Sequence, residues 1–149
     1  MFNRLFSALE NTRASISQAF RGISAGNITG EQLDNIEEQL FLSCHDISDG
    51  GIAVAISEMT FGNNIGCDIV APGSLALEKL LFSETGGFII ETQQEHLQQI
   101  KNVFKARNVD YYNIGSTSDN GRIRMNDAID LDVKEAKRLW SKGLRDKIK

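Results

Sequence analysis

The segment Ser43–Ile52 (SCHDISDGGI) holds the densest group of residues that could bind a ligand. A short apolar run ends here, a polar turn follows, and two glycines precede a helical pattern. Backbone N–H groups that collect at a helix start can bind an anion such as phosphate. Because glycine has no Cβ, Gly50 and Gly51 would let a ligand approach the main chain closely. The segment therefore predicts an anion-binding loop.

The same turn has a second interpretation. Ser48 and Asp49 are residue types that favour the N-cap position, so the turn could serve only to start a well-capped helix. The segment matches neither the GxxxxGK[ST] phosphate loop nor the GxGxxG dinucleotide fingerprint. From spacing alone, both interpretations stay open.

A second polar turn with two glycines follows at residues 82–88 (FSETGGF), between a helical pattern and a β-branched run. As a functional element it would place Ser83 and Glu84 beside a cleft. As a structural element it is a bend made possible by Gly86 and Gly87.

Other chemistries have weaker support. Cys44 and His45 are neighbours on a predicted strand and would point to opposite faces, so a thiol–imidazole pair is disfavoured against a structural cysteine. Two histidines and two cysteines without a CxxC or HExxH spacing do not predict a metal site. His96 lies within a helical pattern and is expected at the surface. No catalytic residue is assigned.

Strand and helix signals alternate after about residue 40, which predicts an α/β chain. The predicted strands are Leu40–Cys44, Cys67–Ala71, Gly87–Thr92, Tyr111–Ser116 and Arg122–Met125, and the predicted helices are Gly51–Phe61, Ser74–Phe82, Gln94–Arg107 and Asp132–Lys149. Asn120-Gly121 is a strong two-residue turn signal and predicts a hairpin between the last two strands.

Residues 1–40 are predicted to be a two-helix segment. Apolar residues recur at three- and four-residue steps in the first helix, and Thr29 precedes a second helical run that ends near Phe41. The apolar stripe of the first helix is Phe2, Leu5, Phe6, Leu9, Ile16 and Phe20. Two such helices cannot bury both stripes against each other, so they need a partner surface.

The composition describes a mildly acidic globular chain. Sixteen Lys+Arg against twenty Asp+Glu give a net charge of −4, which disfavours a nucleic-acid partner. No apolar run reaches the roughly 18–20 residues that span a bilayer, and no signal-peptide pattern follows the start. Two cysteines do not make a disulfide framework, so we expect a cytoplasmic location.

Residues from about 40 to 149 resemble the C-terminal domain of phosphoribosylformylglycinamidine synthase, a ligase of purine biosynthesis. Four motifs carry the resemblance in the expected order: SCHDISDGGIAVAISEM, LFSETGGFIIE, Ile114-Gly115 and Leu139-Trp140. The resemblance implies a layered α/β (α+β) domain with a mixed sheet flanked by helices. This is the C-terminal fold of the aminoimidazole ribonucleotide synthetase superfamily, and it packs against an ATP-binding domain. In that family ATP activates an amide oxygen of the ribonucleotide, and ammonia from a glutaminase subunit or domain replaces it.

The same resemblance implies a substrate site. His45, Asp46, Ser48, Asp49, Gly50 and Gly51 would contact the ribonucleotide, chiefly its phosphate, and Ser83 and Glu84 would line the same cleft. ATP and magnesium are implied for full-length relatives, whereas no cofactor or metal is expected in this chain. Since the ATP-binding half is not expected in it, we expect no ATP-dependent turnover by the chain alone.

Residues 1–40 resemble the start of the N domain of the signal recognition particle receptor, through the "LxxTRxxI"-like helix and the helix LDNIEEQL. The sequence thus divides into a helical segment over 1–40 and a synthase-type domain over 41–149, with the junction between about 38 and 44.

Two alternatives to the synthase hypothesis concern the helical segment. The basic amphipathic helix over residues 2–20 could lie on an anionic membrane surface or bind a partner, and the same stripe could dock on the domain. The chain could also self-associate by exchanging its leading helices between copies. Both alternatives describe a protein without catalysis.

Overall fold

A computed structural model of the protein describes residues 40–106 and 108–145. In chain order the elements are β1 (Ser43–Asp46), α1 (Gly51–Thr60), β2 (Gly66–Ile69), α2 (Leu77–Phe82), β3 (Phe88–Glu91), a 3₁₀ turn (Gln94–His96), α3 (Leu97–Ala106), β4 (Gly115–Ser118), β5 (Arg122–Met125), β6 (Ile129–Asp132) and α4 (Val133–Arg145). The two-helix segment predicted over residues 1–40 lies outside the described residues except for Leu40, and it stays a prediction.

The described residues form two units. The first takes the described residues of 40–46 and 88–111, and the second takes those of 47–87 and 112–145. In the first unit, β1 and β3 pair antiparallel with His45 opposite Ile89. The following helix α3 is amphipathic and buries Ile100, as its spacing predicts.

The second unit is built on a four-stranded mixed sheet in the order β4-β2-β5-β6. Strand β2 runs antiparallel to β4 and parallel to β5. The two inner strands alternate buried and exposed residues, which is the pattern of a sheet covered on one face. The core of this unit consists of Ala53, Ala55, Ile56, Cys67, Ile69, Ala71, Leu81, Ile123, Met125 and Val133.

The predicted hairpin between β4 and β5 is wrong, because β2 lies between these two strands. The sequence of β4, Gly-Ser-Thr-Ser, is polar and largely exposed, which suits an edge strand, whereas β2 buries Cys67 and Ile69. If β4 paired directly with β5, the polar strand β4 would lie inside the sheet. Strand β2, with its buried residues, would then lie at the edge. The link through Asn120 and Gly121 therefore passes over the start of β2.

The actual hairpin of this region joins β5 to β6, a strand that the periodicity did not predict. Its turn uses Asn126 and Asp127, which both have positive φ (50° and 56°), and the Ala128 N–H donates to the Met125 carbonyl at 3.0 Å. Two successive left-handed residues define a type I′ turn, for which Asn and Asp are suited. The final helix consequently begins at Val133.

An ionic row crosses the exposed face of this sheet. Arg122 donates to Asp130 at 2.6 Å, Arg124 lies 3.4 Å from Asp68, and the Arg122 hydrogen bond lowers the pKa of the Asp130 carboxyl. Since all four side chains are exposed to water, these pairs add little to the stability of the fold.

The single tryptophan joins α4 to α1. The Trp140 indole N–H donates to Glu58 Oε1 at 2.9 Å, and its ring lies 5.8 Å from the Phe61 ring. Lys137 on the same helix donates to the Phe61 carbonyl at 2.8 Å, at the end of α1. Trp140 fluorescence therefore reports on the packing of the second unit.

Candidate functional site

A tight turn precedes α1. The Gly51 N–H donates to the Ser48 carbonyl at 3.0 Å, and Gly50 has φ 83° and ψ 4°. These dihedrals are those of the third residue of a type II turn, a position that favours glycine because its φ is positive. Gly51 also has a positive φ, 68°. The paired glycines thus allow the chain to enter the helix through two left-handed residues.

The helix begins without the side-chain cap that Ser48 and Asp49 could have provided. Gly50 occupies the N-cap position, and no side chain makes a capping hydrogen bond there. Both Ser48 and Asp49 are exposed. The capping interpretation of these two residues is therefore wrong, since the turn geometry, and not a side chain, starts the helix. The amides of the first turn lack intrahelical acceptors and carry the positive end of the helix dipole.

The structure brings the two predicted glycine turns together. A Cβ on Gly51 would lie 2.7 Å from the Leu81 carbonyl oxygen and 2.8 Å from that of Ser83. The main chain at the end of α2 thus packs directly on the start of α1. Ser83 was predicted beside this turn, whereas the contact of Leu81 with Gly51 was signalled only by the paired glycines.

Glu84 reaches the first turn of α1. Its Oε1 accepts a hydrogen bond from the Gly50 N–H at 3.2 Å, while its side chain stays exposed. A carboxylate is favourable at a helix N-terminus because it faces the positive end of the dipole. One amide at this end of α1 therefore already donates to an anionic group.

Ser83 lies at the C-terminal end of α2 and bonds to that helix. Its hydroxyl donates to the Lys79 carbonyl, and its N–H bonds the same oxygen at 3.2 Å, so it ends α2. Behind it, the Ile47 N–H donates to the Gly87 carbonyl at 2.8 Å, which ties the two turns at a second point.

Replacing Glu84 by alanine should lower the free energy of unfolding by about 1 kcal/mol, because Gly50 loses a charged acceptor at the helix N-terminus. Urea unfolding followed by Trp140 fluorescence measures this loss. Asp49→Ala is the matched control, since it removes a carboxylate from the same turn that caps no amide; its cost should stay below about 0.5 kcal/mol. Equal costs for the two variants would contradict a specific role for Glu84.

His45 and Asp46 lie on β1, in the first unit. The predicted strand Leu40–Cys44 is shifted by about two residues, so these residues belong to the strand and not to the turn after it. His45 Nδ1 lies 2.6 Å from the Asp46 carbonyl oxygen. Because a carbonyl only accepts, Nδ1 is the donor in this contact.

Neither Cys67 nor a group of metal-ligating side chains in the described residues supports thiol or metal chemistry. Burial raises the pKa of the Cys67 thiol to about 11, so it is protonated and unreactive near neutral pH. Across 40–106 and 108–145, no three His, Cys, Asp or Glu side chains come together as a metal site requires. No helix within those ranges is long and apolar enough to cross a bilayer.

A family model described as "AIR synthase related protein, C-terminal domain" matches residues 29–128, about two thirds of the chain. The chain belongs to this family. The matched region includes both glycine turns. It also begins within the segment predicted as separate, residues 1–40, whose resemblance to the signal recognition particle receptor stays a prediction.

Curated relatives agree with this assignment. The chain is 32% identical over 120 residues to the phosphoribosylformylglycinamidine synthase subunit PurL of Methanothrix thermoacetophila. The matched region covers 76% of this chain and 16% of that protein. It is 29% identical over 113 residues to the human phosphoribosylformylglycinamidine synthase, covering 70% of this chain and 8% of that protein. The chain thus spans a small fraction of these relatives.

Solved structures show the same fold. Thermotoga maritima PurL in complex with ATP superposes with a TM-score of 0.61 at 16% identity, over 70% of this chain and 20% of that one. The complex of the same protein with FGAR gives a TM-score of 0.59. These similarities confirm the predicted layered α/β fold of the synthase C-terminal domain.

Proposed function

We propose that this chain contributes part of the ribonucleotide site of an ATP-dependent phosphoribosylformylglycinamidine synthase in purine biosynthesis. Membership of the family and the names of the curated relatives support this role over an interaction module or a self-associating domain. In the proposal the start of α1 binds the phosphate of the ribonucleotide. The observation that carries it is the Gly50 N–H bonded to the Glu84 carboxylate, an anion already held at this helix end.

The donors for phosphate are the backbone amides of Ile52 and Ala53, the next two in the first turn. The Gly51 N–H is bonded to Ser48, and the Gly50 N–H is bonded to Glu84. A phosphate at Ile52 and Ala53 faces the positive end of the dipole and is not hindered by a side chain at Gly50 or Gly51. A phosphate that also reaches Gly50 has to displace Glu84.

Side chains complete the proposed set of contacts. Ser48 and Asp49 are exposed in the turn before these amides, and in the proposal they contact the ribonucleotide. Ser83 and Glu84 border the same turn. His45 and Asp46, which precede the turn in the chain, are retained as proposed substrate contacts on the basis of the family resemblance.

The whole reaction requires parts outside these residues. Phosphoryl transfer from ATP needs metal and cationic groups fixed around the phosphates. The described residues do not provide an acidic cluster for magnesium. An ATP-binding domain and a glutaminase are the proposed partners. Relatives support this: Thermotoga maritima PurL was solved with ATP, and a similar chain is part of its PurLQS structure. The proposed location is the cytoplasm.

Binding of the formylglycinamide ribonucleotide to the full chain tests the proposal. Isothermal titration should give a measurable affinity for the ribonucleotide and none for its dephosphorylated nucleoside. In ¹H–¹⁵N spectra the largest shifts should fall on the amides of Ile52 and Ala53. Shifts confined to other parts of the chain, or equal binding of the nucleoside, would contradict phosphate recognition here.

A proline variant isolates the amide. Ile52→Pro removes one N–H that has no intrahelical acceptor. Ile52→Ala also loses the isoleucine side chain but keeps the N–H, so it is the matched control. Because one charge-assisted hydrogen bond is lost, Ile52→Pro should weaken binding about tenfold relative to Ile52→Ala. If both variants bind alike, the Ile52 amide does not contact the phosphate.

A further inference from the structure

Asn120 is the only asparagine in the sequence that precedes a glycine. It lies in the link Asp119–Gly121, which joins β4 to β5 over the start of β2. Asp119 and Asn120 are exposed, so water and base reach the side-chain amide. Asparagine is among the chemically labile residues of proteins.

The fold holds the Asn120 side-chain amide through its oxygen. Its Oδ1 accepts a hydrogen bond from the Arg122 N–H at 2.8 Å and lies against Gly66, where a Cβ would be only 2.1 Å away. The Gly121 carbonyl accepts from the Val133 N–H at 3.0 Å, which holds the Gly121–Arg122 peptide, the one after the attacking nitrogen. The Arg122 N–H thus points at the oxygen on which negative charge develops when a nucleophile attacks the amide carbon.

We propose that Asn120 is a self-modification site of the folded protein, at which the Gly121 nitrogen attacks the side-chain amide and converts the asparagine to aspartate or isoaspartate. A bond forms between the Gly121 nitrogen and Asn120 Cγ, and the Cγ–Nδ2 bond breaks. Nδ2 leaves as ammonia with the proton lost from the Gly121 N–H. Water then opens the cyclic imide at either carbonyl. The absence of a Cβ on Gly121 leaves its nitrogen unhindered.

The two products differ in their effect on the fold. An aspartate keeps the main chain unchanged, and its carboxylate can still accept from the Arg122 N–H. An isoaspartate inserts one more carbon into the main chain of a three-residue link. This link already packs closely on Gly66, so the longer main chain would disturb that contact. Aspartate at position 120 should therefore leave the second unit intact, whereas isoaspartate should loosen the start of β2.

Peptide mapping by mass spectrometry tests the proposal on the full chain. Folded protein and protein unfolded in urea are held at the same mildly alkaline pH, and the amide-to-acid conversion is followed at every asparagine. We expect Asn120 to convert first in the folded chain, at a rate within about tenfold of that in the unfolded chain. Earlier conversion of another asparagine, or slowing by more than about tenfold on folding, would overturn the proposal.

Two substitutions serve as controls. Gly121→Ala places a Cβ beside the attacking nitrogen and should slow the conversion in the unfolded and the folded chain alike. Asn120→Asp removes the reactive amide and should keep wild-type Trp140 fluorescence. If Gly121→Ala fails to fold, the comparison of folded and unfolded wild-type chain still decides the proposal. Unchanged conversion in an unfolded Gly121→Ala chain would contradict attack by this nitrogen.

Discussion

Replacement of Gly51 by alanine should lower the free energy of unfolding by about 2–5 kcal/mol, enough to unfold a marginally stable domain. Two causes add. Gly51 has φ 68°, which costs a residue with a Cβ about 1–2 kcal/mol. The new Cβ would also lie 2.7–2.8 Å from main-chain atoms of Leu81, Phe82 and Ser83, and main-chain atoms cannot rotate away. Overpacking of this kind costs about 1–3 kcal/mol.

The measurement is urea unfolding monitored by Trp140 fluorescence. Gly86→Ala is the matched control, because it lies in the second glycine turn, its φ is not positive, and a Cβ there meets no atom within 4 Å. Its free energy of unfolding should stay within about 0.5 kcal/mol of wild type. A mild effect at Gly51, comparable to that at Gly86, would show that the two turns do not pack as described.

Replacement of Gly66 by alanine should cost about 3 kcal/mol, and this result tests the strand order. A Cβ at Gly66 would lie 2.1 Å from Asn120 Oδ1 and 2.7 Å from both the N and the O atoms of Arg122. The link between β4 and β5 would have to lift off β2 and lose the Asn120–Arg122 hydrogen bond, worth about 1 kcal/mol, besides the overpacking. A hairpin between β4 and β5 would not produce this clash.

Gly62→Ala provides the comparison for Gly66. Gly62 lies in the connection that leads to β2, and a Cβ there meets no atom within 4 Å. Its unfolding midpoint should match that of wild type. The double variant Gly66→Ala/Asn120→Gly should recover part of the lost stability, because the nearest clashing atom is removed. Failure of Gly66→Ala to destabilise the chain would contradict the order β4-β2-β5-β6.

Local pattern predicted several elements close to their observed bounds. Helix α1 begins at Gly51 as predicted and ends one residue earlier, and α3 buries Ile100 as its 3.6-residue periodicity requires. The predicted strand Cys67–Ala71 is observed as Gly66–Ile69. These elements are predictable because side-chain periodicity within one segment decides which face is buried.

The candidate site was predicted in part. Residue types identified the two glycine turns, but the N-cap preference of Ser48 and Asp49 gave the wrong reason for the helix start. The contact of Glu84 with the Gly50 N–H joins residues 34 positions apart, and no local spacing encodes it. The polar turns were visible in the sequence, whereas their mutual contact was not.

The sequence by itself determined the family, the α/β class and the two glycine turns, since each depends on residue types within a short window. Only the tertiary structure decided that β2 separates β4 from β5, that Asn126 and Asp127 make the hairpin in place of Asn120-Gly121, and that Leu81 packs on Gly51. The physical reason is burial. A turn signal favours a local bend, but the pairing of strands follows from which of them can enter the core, and the polar β4 could occupy only an edge.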